Sequence, residues 1–116
     1  MKSQYEKKRL ITFDRIKIKS NYKYLLNTKV KFNEMFHSRS GEKIGIFYSS
    51  KEDINIPYNL YIAVSYIKQT LTLEFSSKIL KEKYPDLISR DTIKECLTNI
   101  NQLHICDIDV DSILSN

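Results

Sequence analysis

The chain has 116 residues, 41% hydrophobic and 28% charged, a size and balance that fit one globular domain and exclude a disordered tail or a fibrous repeat. Its net charge of +5 is unevenly spread: residues 1–43 hold twelve Lys or Arg against four Asp or Glu, and residues 44–116 hold seven against ten. A basic front and an acidic back steer a polyanion to one side. No apolar run approaches a membrane span and no apolar leader follows the charged start, so no membrane contact and a cytoplasmic location are expected.

Residues 1–8 are polar and are expected to form a flexible lead-in to a single domain spanning 1–116. In "LITFDRIKIKS" (Leu10–Ser20), Ile16 and Ile18 alternate with Arg15, Lys17 and Lys19, the period of a strand. Ile11 and Phe13 fall on the opposite parity, which calls for burial on both faces or a bulge. "NYKYLLN" is expected as a short turn or a single helical turn. "KVKFNEMF" (Lys29–Phe36) has Val30, Phe32 and Phe36 in phase and is expected as a second strand. Gly41, inside "SRSGE", marks a turn. "KIGIFYSS" (Lys43–Ser50) alternates Ile44, Ile46 and Tyr48 as a strand, and "KEDINIPYN" is a loop.

Two strands follow closely. "LYIAVSYIK" (Leu60–Lys68) is apolar on both parities. "TLTLEFS" (Thr70–Ser76) turns Leu71, Leu73 and Phe75 inward and Thr70, Thr72, Glu74 and Ser76 outward. A hairpin near Lys68–Thr70 joins them, although no Asn-Gly signal marks it. The period then becomes helical. "SSKILKEKY" (Ser76–Tyr84) has a serine cap and Pro85 as its stop. In "SRDTIKECLTNINQL", Ile93, Cys96, Leu97 and Ile100 form one apolar stripe, with Ser89 as cap. "LHICDIDV" (Leu103–Val110) closes the chain as a strand. The order gives an α+β fold: an antiparallel sheet of about five strands with two helices packed on one face. The closing strand is expected to return to that sheet through a right-handed crossover.

On a strand, Asp107, Asp109 and Asp111 share one face. They do not make a calcium loop, because Ser112 stands where the sharp turn needs glycine and position twelve falls beyond the sequence. Side chains roughly 6.5–7 Å apart hold a Mg²⁺ only by leaning together. A charged, water-facing strand face is the expected role. His37 and His104 have no partner at ligand spacing, and Cys96 and Cys106 lie ten residues apart with no CxxC pair. The cysteines are expected as reduced thiols in or near the core. No nucleophile elbow, zinc helix, phosphate loop or dinucleotide fingerprint occurs. The expectation is therefore no enzyme, no cofactor and no metal.

The remaining functional signal is diffuse. Lys7, Lys8 and Arg9 precede the first strand, Arg15, Lys17 and Lys19 form a row along it, and Lys23 follows between Tyr22 and Tyr24. Cations meet phosphates, and interleaved aromatic rings suit single-stranded nucleic acid. A solvated edge strand shows the same row.

The segment "LTLEFSSKILKEKYPDLISRDTIKECLTNINQLHICDIDVDSIL" (Leu71–Leu114) resembles replication initiators of the filamentous-phage gene II and plasmid type, as does the opening "FDRIKIKS". Members of that family nick DNA with a tyrosine and a metal held by a His-hydrophobic-His pair. This chain has no such pair, so the resemblance carries over no active-site residue. It implies the non-catalytic N-terminal part of a longer DNA replication initiator, or a stand-alone relative that only binds, with an antiparallel sheet covered by helices on one face and a leaning toward DNA as partner. The alternatives are a protein-interaction or homo-oligomer module using the Leu60–Lys68 strand, and an enzyme built on the aspartates.

Overall fold

The computed structural model describes residues 11–52, 56 and 59–115; the lead-in 1–8 and the cations Lys7, Lys8 and Arg9 lie outside the described residues. Among the described residues seven strands form: β1 (Arg15–Asn21), β2 (Leu25–Thr28), β3 (Asn33–Phe36), β4 (Lys43–Ser49), β5 (Leu60–Ser65), β6 (Thr70–Ser76) and β7 (Cys106–Ile108). Among the described residues two α-helices, α1 (Ile93–Gln102) and α2 (Val110–Leu114), follow β6 and β7. Five strands make one antiparallel sheet in the order β1-β6-β5-β4-β3, while β2 and β7 pair in a separate two-stranded ribbon. The expected α+β architecture is therefore present.

Register explains which face is buried. Ile18, Leu73, Ile62 and Tyr48 stand in one row across four strands, and Ile16, Phe75 and Leu60 in the next. Phe75, Ile62, Leu71 and Leu73 are fully buried, each worth roughly 1.5–3 kcal/mol of transfer free energy. The apolar residues of the helical segments close onto this face. Ile79 and Leu80, Cys96, Leu97 and Ile100 of α1, and Ile113 of α2 belong to the same cluster. The stripe expected from Ile93 to Ile100 thus faces the sheet. Helical hydrogen bonding begins at Ser89, whose carbonyl accepts from the Ile93 N–H at 2.8 Å. Its Oγ accepts from Asp91 N, and Thr92 Oγ1 accepts from Ser89 N in return, which makes a turn leading into α1; the cap of the helix itself is Thr92, three residues after the Ser89 that the sequence pointed to.

Several elements differ from the sequence expectation. The first strand begins at Arg15, not Leu10. Phe13 makes only an isolated bridge to Ile88, and both Ile11 and Phe13 are exposed. The parity conflict disappears because the strand is not continuous across Asp14. A 3₁₀ turn at Tyr22–Tyr24 leads directly into β2, a strand the sequence did not announce. β3 is half as long as expected: Phe32 is buried before it begins, and Val30 and Phe36 are exposed. Ser77–Asp86 winds as two 3₁₀ turns broken at Lys81 (φ 61°, ψ −119°), not as an α-helix. Pro85 lacks the N–H an α-helix needs. The hairpin between β5 and β6 turns through Tyr66–Gln69, with Gln69 at φ 55°. Glutamine there takes the left-handed conformation that an Asn-Gly signal normally reveals.

β5 is an interior strand between β4 and β6. Its backbone hydrogen bonds are spent within the sheet, so it offers no edge for pairing with a second copy. The closing strand is also shorter than expected and does not join the main sheet. It runs only from Cys106 to Ile108 and pairs with β2. Asn101 of α1 seals its other edge, donating to Ile108 O at 3.1 Å and accepting from Ile108 N at 2.8 Å. Gly45 is required where β4 crosses close to β5: a Cβ there would overlap the Val64 carbonyl and the Met35 side chain.

Candidate nucleic-acid interface

The second face of the five-stranded sheet carries the side chains of the opposite parity. One row across it is Lys17, Glu74, Tyr61 and Ser49; the next is Lys19, Thr72, Ala63, Phe47 and Asn33. Arg15 lies opposite Ser76 at one end, and Asn21, Thr70, Ser65, Gly45 and Met35 form the row at the other. Apart from the aromatics and Met35, this face is built of small, polar and charged side chains. Among the described residues no helix contributes to it, since the helical apolar groups all join the cluster on the first face.

Three of the sequence-predicted cations therefore sit together. Arg15, Lys17 and Lys19 project from β1 onto one face, spaced by about 6.5–7 Å as alternate strand residues are. All three are exposed. Arg15 Nε lies 3.7 Å from a Glu74 carboxylate oxygen, beyond hydrogen-bonding distance. Among the described residues no ion pair closes on Lys17 or Lys19, whereas Lys29, Lys43, Lys83 and Lys94 each have an acidic partner. The Lys43–Glu34 pair, at 2.7 Å, joins β3 to β4. Their mutual hydrogen bond holds the Glu34 carboxyl below its ordinary range and raises the Lys43 ammonium. Lys23 sits in the 3₁₀ turn beyond the end of β1, off the strand row.

The aromatic partners are not those the sequence indicated. Tyr22 and Tyr24 are half-buried and pack against the core cluster, so their rings do not interleave with the β1 cations. Phe47 and Tyr61 share the face of those cations instead, with Glu74 and Thr72 of β6 between them and β1. They are diagonal neighbours on β4 and β5, their centroids 6.1 Å apart and their planes inclined by 32°. The signal for them was present, since Phe47 breaks the parity of Ile44, Ile46 and Tyr48, and Tyr61 that of Leu60 and Ile62. Which parity stays uncovered depends on where the helices dock. A concavity of about 390 Å³ opens beside this pair, lined among others by Arg15, Phe47, Ser49, Lys51, Tyr61 and Glu74.

The aspartates do not form a ladder. Asp107 alone lies on β7 and pairs with Lys29 at 3.3 Å. Asp109 caps α2, accepting from Ser112 N and Ser112 Oγ. Asp111 lies in the first turn of α2, 3.7 Å from Lys94. The chain bends at Asp109 because its carboxylate satisfies the orphan N–H groups of a helix start. Among the described residues no cluster of three or more His, Cys, Asp or Glu is placed to hold a metal ion. No helix among them is long and apolar enough to cross a membrane. Cys96 and Cys106 are buried free thiols, pushed up to about 12 chiefly by burial.

Comparison with protein-family models, with curated proteins and with solved structures gives no match.

Proposed function

We propose that the face of the sheet turned away from the described helices binds single-stranded nucleic acid. The observation that carries this reading is the register that sets Phe47 and Tyr61 on the same face as Arg15, Lys17 and Lys19. Lysines on an edge strand also keep copies of a sheet from pairing. That role does not account for two half-exposed aromatic rings on the same face of the sheet, one strand and two strands beyond β6. A flat antiparallel face with aromatics stacks unpaired bases, and the cations beside it meet the phosphates. A duplex is a poorer fit, since its bases are already stacked on one another.

Binding, not catalysis, is the proposed role, and DNA the proposed strand. The context of a phage- or plasmid-type replication initiator rests on the resemblance of Leu71–Leu114 and of the opening "FDRIKIKS". The test is a fluorescence-anisotropy titration of a labelled single-stranded oligo-dT with the protein and with Phe47→Leu and Tyr61→Leu. Base–aromatic stacking is worth about 1–3 kcal/mol per base, so each variant should bind at least about fivefold more weakly while its thermal transition changes little. Wild-type affinity in both variants would rule out stacking on this face.

A further inference from the structure

We infer that the concavity beside Tyr61 is a base-reading pocket that selects guanine, an inference that rests on the single-strand reading above. Its volume of about 390 Å³ lies at the low end of small-ligand sites, roughly 300–1,000 Å³, and suits one nucleotide. Its walls hold what one nucleotide needs. Tyr61 and Phe47 offer ring faces, and Arg15 and Lys51 offer cations for a phosphate.

The informative group is Glu74. A carboxylate in the middle of a polyanion-binding face repels phosphate and weakens non-specific binding. It lies in the row between Lys17 and Tyr61, and its side chain is 34% exposed. Arg15 Nε, at 3.7 Å, is too far to occupy its lone pairs. An ionised carboxylate only accepts hydrogen bonds, and it has two oxygens side by side. Directly opposite residues on neighbouring strands have Cβ atoms about 4.5–5.5 Å apart. A base stacked on Tyr61 therefore presents its edge to Glu74.

Among the four bases, guanine alone has two adjacent donors on its pairing edge, the ring N1–H and the amino group. Adenine and cytosine set one amino donor beside an acceptor nitrogen. Thymine flanks its single N–H with two carbonyls. Two parallel hydrogen bonds to Glu74 are open to guanine, and each other base brings an acceptor against the carboxylate.

The experiment compares four single-stranded oligomers at one ionic strength by anisotropy: oligo-dT, and oligo-dT with one central dG, dA or dC. The full chain, Glu74→Gln and Lys17→Gln are each titrated. A good bidentate contact discriminates by about 1–3 kcal/mol, so the dG oligomer should bind the full chain roughly tenfold more tightly than the others. Glu74→Gln should abolish that preference while oligo-dT binds as well or better, because a repelling charge is gone. Lys17→Gln should weaken all four alike and keep the preference. Equal affinity of the full chain for the four oligomers, or a dG preference that survives Glu74→Gln, overturns the pocket while leaving the stacking face standing. Failure of every oligomer to bind overturns both.

Discussion

Replacing Arg15, Lys17 and Lys19 together by glutamine tests the phosphate-contacting row through its salt dependence. Each phosphate neutralised on a single strand contributes about −0.7 to the slope of log K against log salt. Three cations spaced along β1 give a contribution of about −2.1. Arg15 shares its charge with Glu74 at 3.7 Å; counting only Lys17 and Lys19 lowers this to about −1.4. Between about 50 and 200 mM salt, a slope difference of 1.4–2.1 amounts to a roughly 7- to 18-fold change in affinity. The wild type should lose that much more affinity than the triple variant over the same range. The assay is anisotropy of labelled oligo-dT at several KCl concentrations. The three side chains are exposed, so the variant should keep its thermal transition. Parallel salt lines for the two folded proteins would refute the claim that this row meets phosphates.

Two further outcomes concern the fold that holds the face in place. Asn101→Ala leaves the N–H and C=O of buried Ile108 without their partners. Each orphaned group costs about 1–3 kcal/mol, so chemical denaturation should show a loss of at least about 2 kcal/mol; a loss under about 0.5 kcal/mol would show that the amide does not seal β7. The thiols of Cys96 and Cys106, raised to about 12 by burial and next by Glu95 and Asp107 respectively, lie above their unfolded value of about 8.5. Their contribution is fully present below about pH 8.5 and is lost as pH rises towards 12, since the unfolded chain ionises first. Urea unfolding at about pH 8 and about pH 10 should show a steeper loss for the wild type than for Cys96→Ala/Cys106→Ala. An identical pH dependence would contradict burial of the thiols.

β6 was fully legible in the sequence, because a half-buried interior strand with polar residues on one face must alternate and "TLTLEFS" does so without interruption. The stripe of α1 was legible for the same reason, since a helical period is local; its cap was not, because it falls at Thr92 and Ser89 forms the turn before it. The closing segment was not. "CDIDVDS" alternates as well as any strand, yet Asp109 ends β7 and starts α2. A carboxylate can face water from a strand or cap a helix with equal local merit, and the packing of Ile113 into the core decides between them.

The candidate site divides along the same line. Sequence alone placed Arg15, Lys17 and Lys19 on one side of a strand, since alternation is a property of the extended backbone. It gave no means to choose Phe47 and Tyr61 over Tyr22 and Tyr24. That choice follows from register across β1, β6, β5 and β4 and from the side on which the helices settled. Both are set by long-range burial, which no short stretch of chain encodes by itself.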